Sequence, residues 1–579
     1  MKNPQKTMEK RRRGEAKINS VPKKMMTAPK ATRNGKILLH RTTSPSTPMS
    51  TPAATRTASL TQILSVESFT YIIVCCTDAS QAQYWTNRLE SVHNIVHRGK
   101  VICTHESDWN GNAGNGLGTL YAFECAQKIA QEKFNVNLQE EMSNGASLGL
   151  YHIAGKGTRL APLPGSEINN KPGVQLPGIL NVNGVPTNIS ILEAVIKQTG
   201  IYASSRPGRL SVFWGDQIFV PSISSSYTPT HEIDIMCTLR SMPSAEEWAS
   251  EGLDKYGLIA VNAQGNAAQV EKVSHATATE LLKDGVGTVV SVGTSLGSFS
   301  VSTMFILAMM EEYKVELEAR AGSLDTDPHF WMPLTLSRAS YLSIMKQKGV
   351  NEEQAAAQFD RMAAFATRLE APSESKEGTT ALRLFGAVDV GRDSYWWDYG
   401  QLRLYFQNNI LATQGSEEAS ALRQFLGLSD DGRVVDSDMT GVAVDGLSCV
   451  LSCRGVSGSV VGSCLSNVTA GSMTVENSLC VNVTAKKIVA KGALLYNVVD
   501  DSDDGIVLGE GQARADVLIA GERVVLLCDI QHDGRVSWKT TLPNNSMSFE
   551  EVWKKNQTQN VIEALKKSVE AHAALRATL

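Results

Sequence analysis

Near residue 412 the pattern of apolar residues changes, and the two patterns require two kinds of fold. Between about residues 70 and 412, short continuous apolar runs alternate with longer stretches of helical character. A short continuous run is typical of a strand buried on both faces, and its alternation with helices predicts a doubly wound α/β domain. In such a domain, ligands bind at the carboxyl ends of the strands.

The predicted elements of this domain follow that alternation. Strands are predicted at 71–76, 100–103, 148–153, 210–214, 257–262 and 289–292. Helices are predicted at 79–89, 120–133, 189–199 and 304–319. We place the α/β domain at residues 67–412 and a linker at 413–440.

Residues 441–545 are predicted to form a β-helix-like domain, because the segment 441–500 is dense in Gly, Ser and Val and nearly free of aromatic residues. Apolar residues recur every six positions in two series, Val444, Val450 and Val456, then Val483, Val489 and Leu495. A six-residue spacing suits a parallel β-helix, in which each flat face takes about six residues. A β-sandwich of short strands is the alternative.

Residues 546–579 are predicted as a C-terminal helix. Ser548 and Glu551 have the spacing of a capping box at its start. An apolar stripe follows at Val552, Ile562, Leu565 and Val569. We expect this stripe to pack on the β-helix-like domain.

The N-terminal residues 1–66 are predicted to be a disordered basic tail. Residues 1–60 carry 14 Lys and Arg against Glu9 and Glu15, and they show no apolar periodicity. Such a composition buries too little surface to offset the entropy of ordering. The tail is either a dispensable extension of a cytoplasmic protein or a transit peptide that directs the chain to a plastid or mitochondrion; a nuclear signal at 10–13 is a weaker alternative.

Charge and hydropathy exclude two classes of partner. The chain has a net charge of −4, so with the basic tail set aside the rest is strongly acidic, whereas general nucleic-acid binders present a basic surface. There is no apolar run long enough to span a bilayer. We therefore expect neither nucleic acid nor a membrane as a partner.

Metal-binding cysteine motifs are also missing from the sequence. The ten cysteines include no C-x-x-C pair, so the spacing predicts no zinc tetrad, and a large chain with scattered cysteines is typical of a reduced compartment. Asp325, Asp327 and His329 are close in sequence, but Pro328 and the lack of helical spacing favour an Asx-turn loop over a metal site.

The strongest local motif is a glycine-containing loop at residues 152–160, at the end of a predicted strand. Gly155 and Gly157 allow a tight turn that brings backbone N–H groups against an anion. Lys156 and Arg159 add positive charge where a triphosphate would lie. A solvated surface turn is the alternative interpretation of this loop.

Two further residues strengthen the phosphate interpretation. Lys171 follows about a dozen residues after the loop and offers another cation. Asp216 comes directly after the apolar run 210–214, where a carboxylate can hold a hard metal ion at the edge of a sheet. Taken alone, Asp216 is more typical of a turn residue or a helix N-cap than of a metal ligand.

Taken together, these segments resemble the sugar-1-phosphate nucleotidyltransferases, also called NDP-sugar pyrophosphorylases. Residues 153–172 resemble the family's Gly-x-Gly-Thr-Arg loop and the Lys-Pro that follows it, and Gly215-Asp216 resembles its Gly-Asp metal site. The segments 256–259 and 270–272 resemble its sugar-binding Tyr-Gly and Glu-Lys segments, and 396–401 resembles its Trp-x-Asp-x-Gly-Thr. The resemblance spans about 70–410, and family members often append a left-handed parallel β-helix.

The order of the motifs is similar to that of the fucose-1-phosphate guanylyltransferase branch. The segment 117–122 resembles the Leu-Gly-Thr-x-x-Ala that contacts the nucleotide base, yet it precedes the phosphate loop, as in that branch. Thr158 and Lys171-Pro172 depart from the branch, which has Ser and Gly-Lys there. The sugar and the base therefore stay open.

The resemblance implies a nucleotidyl transfer from a nucleoside triphosphate to a sugar-1-phosphate. It implies a Mg²⁺ ion held by Asp216 and Asp398, and catalytic roles for Arg159 and Lys171. The nucleotide would be bound by Gly118, Thr119, Gly155, Lys156, Gly157 and Thr158. The sugar phosphate would be bound by Gly257, Glu271 and Lys272. A solvated surface pair is the alternative interpretation of Glu271 and Lys272.

Such a reaction needs no general base, because the attacking phosphate oxygen is already ionised near neutral pH. It needs in-line placement of the reactants and neutralisation of their charge.

One alternative function is that of a catalytically inactive relative that acts as a sensor or scaffold. A β-helix acyltransferase is another, but no histidine lies between His329 and His532 to serve as its base. We expect the β-helix-like domain either to contact a second copy of the chain or to brace the catalytic domain, and to take no part in the chemistry.

Overall fold

The structure is a computed structural model that describes residues 51–65, 67–92, 94–370 and 382–579. All of these residues belong to one compact unit.

The α-helices of the described chain are α1 (Pro52–Leu64), α2 (Ala79–Glu90), α3 (Gly114–Phe134), α4 (Leu138–Ser143), α5 (Leu163–Ser166), α6 (Ile191–Thr199), α7 (Ala245–Glu251), α8 (His275–Val286), α9 (Thr303–Glu312), α10 (Lys314–Ala319), α11 (Met332–Thr335), α12 (Arg338–Gln347), α13 (Glu352–Glu370), α14 (Leu402–Ile410), α15 (Glu417–Phe425), α16 (Phe549–Asn556) and α17 (Val561–Arg576). The strands of the first part are β1 (Tyr71–Cys76), β2 (Lys100–His105), β3 (Leu148–His152), β4 (Gln175–Val182), β5 (Val185–Ser190), β6 (Arg209–Trp214), β7 (Gln217–Val220), β8 (His231–Arg240), β9 (Gly257–Asn262), β10 (Ala267–Glu271), β11 (Val289–Ser302), β12 (Arg383–Asp389) and β13 (Tyr395–Asp398). The strands of the second part are β14 (Val434–Val435), β15 (Val442–Val444), β16 (Cys449–Leu451), β17 (Arg454–Gly455), β18 (Gly458–Val461), β19 (Cys464–Glu476), β20 (Leu479–Lys491), β21 (Leu494–Asp500), β22 (Ile506–Leu508), β23 (Gln512–Ile519) and β24 (Glu522–Asp529).

A mixed sheet forms the centre of the first part. Its strand order is β10-β9-β11-β6-β3-β1-β2, with β8 on the other side of β11 and β12 beside β8. β6, β3, β1 and β2 run parallel, so their carboxyl ends meet at one edge. The coarse prediction of an α/β fold is confirmed in this form.

β1 is apolar throughout because both of its faces are buried. Ile72, Val74 and Cys76 lie in the core on one face of the sheet, and Tyr71 and Ile73 lie in the core on the other. Because successive side chains of a strand point to opposite faces, a strand covered on both sides must be apolar at every position.

Most predicted elements are present, with shifted ends. β9 has the predicted bounds, whereas β11 runs for 14 residues instead of four because it pairs with β9 along its first half and with β6 along its second. The helix predicted at 304–319 is two helices, α9 and α10, which meet at Tyr313. β8 and β12, which pair with each other in parallel, were not predicted.

Parallel strands β14–β23, which we call the stack, follow the mixed sheet in sequence. Cys449 pairs with Cys464, Cys464 with Leu479, and Leu479 with Leu494, so the register advances by 15 residues. Such parallel pairing is not that of an antiparallel sandwich.

The predicted six-residue spacing is wrong, and the bends of the stack explain why. Val450 is fully buried, but Val456, six residues on, is 53% exposed. Asn467, Asn482 and Asn497 recur every 15 residues in the left-handed backbone region and are joined in a ladder of side-chain hydrogen bonds. Because each bend consumes residues, inward positions recur with the 15-residue register.

The predicted linker over 413–440 is wrong, since this segment is packed. Leu422 and Phe425 of α15 are buried in the same core as β1. Arg423 of this helix donates to the carbonyls of Ala412 and Gln414 at 2.8 Å. β14 already belongs to the stack.

The predicted C-terminal helix is two helices, α16 and α17. The capping box of Ser548 and Glu551 is present at the start of α16. Asn560 caps a new helix at α17, which changes the helical phase. As a result, Ile562 and Val569 of the predicted stripe are exposed, whereas Leu565 is partly buried and packs against Ile168 and Val561.

The predicted disordered tail extends too far, because α1 lies within it. Leu60 and Ile63 of α1 are buried in the core with β1 and α6. Thr51 caps the helix and Pro52 occupies its first turn, which is where proline is favoured. Residues 1–50 and 66 lie outside the described residues.

The burial of α1 gives a testable prediction. We expect Ile63→Ala to lower the free energy of unfolding by about 2–5 kcal/mol, because Ile63 is fully buried and its loss leaves a cavity. Chemical denaturation monitored by circular dichroism measures the change. Thr61→Ala, at an exposed position of the same helix, is the matched control; equal stability of the two variants would contradict the assignment.

Glu167 joins the first part of the chain to the stack. Its carboxylate is buried and accepts a hydrogen bond from Tyr496 of β21 at 2.5 Å and one from Gln175 at 3.3 Å. Burial raises the pKa of Glu167 to about 7, although the Tyr496 hydroxyl and Arg88 favour its charged form.

This pKa predicts how stability depends on pH. The folded protein holds a proton on Glu167 that the unfolded chain, with a pKa near 4.5, releases earlier. Stability from this group is therefore full below pH about 4.5 and is lost as pH rises to about 7, by about 3 kcal/mol in total. We expect Glu167→Gln to remove that slope, as measured by denaturant unfolding at pH 4.5, 6 and 8 (about these values). Exposed Glu570→Gln is the control and should keep the wild-type slope.

No helix among the described residues is long and apolar enough to cross a membrane.

Candidate functional site

The glycine-containing loop begins where β3 ends, at the carboxyl edge of the parallel strands. Gly155 has φ +125° and Gly157 has φ +63°, so both adopt backbone conformations that side-chain-bearing residues rarely take. Lys156 and Arg159 are exposed on this loop. Residues 158–160 form a single tight 3₁₀ turn that returns the chain toward the sheet. The loop therefore presents backbone and cations at the sheet edge, as predicted.

Lys171 is the cation that the fold places at the centre of the site. A Cβ on Gly157 would lie 3.0 Å from the Cβ of Lys171, so the loop packs directly against this residue. The Lys171 Nζ lies 2.5 Å from Oδ2 of Asp216, which follows β6. The loop, the lysine and the aspartate are thus in one place.

Asp398 reaches the same point from a separate two-stranded ribbon. β7 and β13 pair in an antiparallel arrangement, and Asp398 is opposite Gln217, the residue after Asp216. The Tyr399 N–H donates to the Asp216 carbonyl at 2.9 Å. A Cβ on Gly400 would lie 2.8 Å from Asp216 Oδ2 and 3.0 Å from Asp398 Oδ1. The two carboxylates therefore converge on the same glycine, and a side chain at that position would separate them.

The surroundings shift the pKa values of the two carboxylates in opposite directions. Burial alone would raise the pKa of Asp216, but the contact with Lys171 and the charge of Arg159 bring this pKa below its usual value. Burial and the negative charge of Asp216 raise the pKa of Asp398, against the N–H of Gly400. The cations of the protein therefore neutralise only part of the negative charge of this pair.

These residues fit a Mg²⁺ ion. Mg²⁺ takes oxygen ligands and is usually held by one or two carboxylates together with phosphate oxygens and water. Asp216 and Asp398 supply the carboxylates, and the repulsion that raises the pKa of Asp398 is what a bound cation would relieve.

The nucleotide-binding residues predicted on α3 lie beside the start of the loop. Thr119 Oγ1 lies 2.8 Å from Nε2 of His152, the last residue of β3. Burial lowers the pKa of His152 to about 4, so its imidazole is neutral near pH 7. Gly118 faces Glu106, since a Cβ there would lie 2.7 Å from the carboxylate. Glu106 and His152 were not singled out as site residues, because single polar residues at strand ends carry no sequence motif.

The predicted sugar-binding residues lie on or beside β9 and β10, which are two and three strands away from β6 along the sheet. Gly257 and Glu271 are paired at the end of the β9–β10 ladder. Glu271 contacts Lys272 and also Lys348, at 3.0 Å. Burial would raise the pKa of Glu271, but these two cations bring it below its usual value. None of these residues contacts Asp216 or Asp398 among the contacts of the described chain.

Asp327 lies beside the same three residues and was expected to be part of a loop. A Cβ on Gly257 would lie 3.7 Å from its carboxylate. Burial and the charge of Glu271 raise the pKa of Asp327 to about 6. Asp327 and His329 lie in a π-helical turn, Asp327–Trp331, and not in the predicted loop, and the His329 ring contacts the backbone of Asp325.

The C-terminal segment also reaches the glycine-containing loop. The Lys156 Nζ lies 4.3 Å from the centre of the Trp553 ring of α16, a cation–π contact. Asn169 donates to the Trp553 carbonyl at 2.7 Å. A Cβ on Gly534 would lie 2.3 Å from the Thr158 carbonyl oxygen. Sequence reasoning did not place α16 here, because contacts between distant segments leave no local pattern.

Comparison with protein-family models, with curated proteins and with solved structures finds no significant match to this chain.

Proposed function

We propose that the chain is a Mg²⁺-dependent sugar-1-phosphate nucleotidyltransferase, which forms an NDP-sugar and pyrophosphate from a nucleoside triphosphate and a sugar-1-phosphate. The observation that carries the proposal is the convergence of Asp216 and Asp398 on Gly400, with Lys171 in contact with one of them. An acid from the turn after β6, a second acid at the end of β13 and a lysine beside a glycine-containing loop suit phosphoryl chemistry better than a structural ion pair.

The protein side of the reaction follows from this arrangement. An oxygen of the sugar phosphate attacks the α-phosphorus, and the bond from that phosphorus to the bridging oxygen of the β-phosphate breaks, so that pyrophosphate leaves. The attacking oxygen is already ionised, hence no residue has to remove a proton. The task of the protein is to hold two anions in line and to neutralise their repulsion.

Each cation near the site has a place in that task. Lys171 is half-buried against Asp216 and would act at the reacting phosphates. Arg159, exposed on the loop, is available to the leaving pyrophosphate, and so is Lys156, which the ring of Trp553 holds in the same loop. A Mg²⁺ ion held by Asp216 and Asp398 would supply charge neutralisation for the phosphate oxygens.

The base and the sugar would bind on opposite sides of this centre. In this proposal the nucleotide base would bind beside Gly118 and Thr119 of α3, which are buried against Glu106 and His152, and its phosphates would bind at Gly155, Gly157 and Thr158. Glu271 and Lys272, with Gly257, would face the sugar phosphate across β9 and β10. Domain closure or a bound substrate is needed to bring that pair to the reacting atoms, because they do not touch the aspartates here.

We further infer that the stack is a left-handed β-helix that braces the site. β19 pairs along its length with three separate short strands, β16, β17 and β18, as one coil of a β-helix does with the coil before it. Cys464, Leu479 and Leu494 of the stack lie in the same core as β1 and α6. Its role would be structural support.

The test is the release of pyrophosphate from the full-length protein across four nucleoside triphosphates and a panel of sugar-1-phosphates, with and without Mg²⁺. We expect one combination to be turned over in a Mg²⁺-dependent manner. Tight binding of a sugar phosphate without turnover of any combination would favour the sensor or scaffold alternative and overturn the proposed activity.

A further inference from the structure

A second group of metal-ligating side chains lies at the same edge of the sheet, outside the aspartate pair. Cys75 is in β1, Glu106 directly follows β2, and His152 ends β3. These three strands are neighbours and run parallel: Cys75 is the register partner of His152, and the Glu106 N–H donates to the carbonyl of Cys76. The backbone therefore fixes the three side chains next to one another.

The distances between the donor atoms match those of a metal site. One atom from each residue can be chosen so that all three lie within 4.8 Å of one another. Cys75 Sγ lies 3.5 Å from Glu106 Oε1. Two ligands of a tetrahedral zinc ion, a sulfur at about 2.3 Å and an oxygen at about 2.0 Å, are separated by about 3.5 Å.

Two neighbouring residues hold the trio in place. A Cβ on Gly118 would lie 2.7 Å from Glu106 Oε1, so glycine is what lets the carboxylate approach α3. Thr119 contacts the His152 ring at 2.8 Å and also donates its proton to the Asn115 carbonyl at 2.7 Å. Contacts of this kind orient the histidine of a metal site.

We propose that Cys75, Glu106 and His152 bind a zinc-class divalent cation. Among the residues that the structure describes, they are the group of three or more His, Cys, Asp and Glu donors whose atoms lie this close together. On binding, the sulfur–hydrogen bond of Cys75 is replaced by a sulfur–metal bond, and the proton leaves to solvent. Three protein ligands leave a fourth position for water or another small ligand.

The chemistry of the donors separates this site from the aspartate pair. A thiolate and an imidazole select zinc, cobalt or related ions, whereas carboxylates alone suit Mg²⁺. The proposal does not depend on the proposed enzyme activity, since it rests on the donors alone.

The experiment is a titration of the untagged, metal-free full-length protein with Co²⁺, followed by displacement with Zn²⁺. We expect about one Co²⁺ per chain, with a thiolate-to-cobalt charge-transfer band and the strong visible bands of a tetrahedral site. Zn²⁺ should abolish both, and excess Mg²⁺ should leave them unchanged.

Variants then assign the ligands. Cys75→Ala should remove the charge-transfer band and weaken Zn²⁺ binding by at least about 100-fold. Glu106→Gln, which keeps the shape of the side chain, should also weaken Zn²⁺ binding. This variant provides the test if Cys75→Ala does not fold. Cys528→Ser, at a partly exposed cysteine of β24, is the matched control and should bind as the wild type does.

Two results would overturn the proposal. One is the lack of any thiolate-to-cobalt band in the wild-type protein. The other is a charge-transfer band of equal strength in Cys75→Ala and in the wild type, or an unchanged Co²⁺ affinity in Glu106→Gln, either of which would show that the three residues are not the ligand set.

Discussion

Asp216→Asn and Asp398→Asn are each expected to lower turnover by on the order of 10³-fold, because a metal carboxylate supports several kcal/mol of charge stabilisation in the transition state. Both side chains lie against Gly400, so each variant removes one of the two carboxylates that would hold the ion. Steady-state pyrophosphate release as a function of Mg²⁺ measures the effect, once the active substrate pair is known.

The two aspartate variants should differ in stability, which gives a check that does not require activity. Asp216→Asn leaves Lys171 without its ion-pair partner and should lower stability. Asp398→Asn removes a buried carboxylate that the charge of Asp216 repels, and should leave stability equal or higher. Thermal unfolding at neutral pH compares them.

The matched control is Asp393→Asn, an exposed residue between β12 and β13 that lies outside the site. It should have wild-type turnover and stability. Wild-type Mg²⁺-dependent turnover in both site variants would contradict the assignment of the metal carboxylates.

Lys171→Ala is expected to lower turnover by roughly 10²–10³-fold and to weaken nucleotide binding much less. The Lys171 ammonium is 2.5 Å from Asp216, close to where the phosphates would meet, so its charge matters most when both crowd the reacting phosphorus. Separate measurement of nucleotide affinity, by calorimetry, and of single-turnover rate distinguishes the two effects.

Two further variants make the comparison sharper. Lys171→Arg keeps the charge and should recover part of the rate, whereas Lys554→Ala, at an exposed lysine of α16, should change neither quantity. If Lys171→Ala weakens nucleotide affinity and leaves the single-turnover rate unchanged, Lys171 only positions the bound nucleotide.

Local sequence patterns were sufficient to predict the parts of the fold that depend on residues close together in the chain. A continuous apolar run such as 71–76 has to be covered on both faces, and its alternation with helices leads to an α/β sheet. The capping box at Ser548 depends on residues three apart, so it is visible in the chain itself. The same holds for the glycine-containing loop, where only glycine adopts the required backbone angles at low cost.

Patterns misled where tertiary packing overrode them. α1 lies within the basic segment, yet Leu60 and Ile63 find a core built by residues far along the chain. The stack advances by 15 residues because asparagine bends, rather than flat faces, set its register.

The candidate site divides in the same way. The sequence identified Lys171, Asp216 and Asp398 as separate residues, since each stands in a recognisable local motif. Strand pairing decided that the two acids lie against one glycine and that Lys171 contacts Asp216. It also brought Cys75, Glu106 and His152 together. The physical reason is that strand ends distant in sequence become neighbours only when the sheet forms, and no local pattern records which ends will meet.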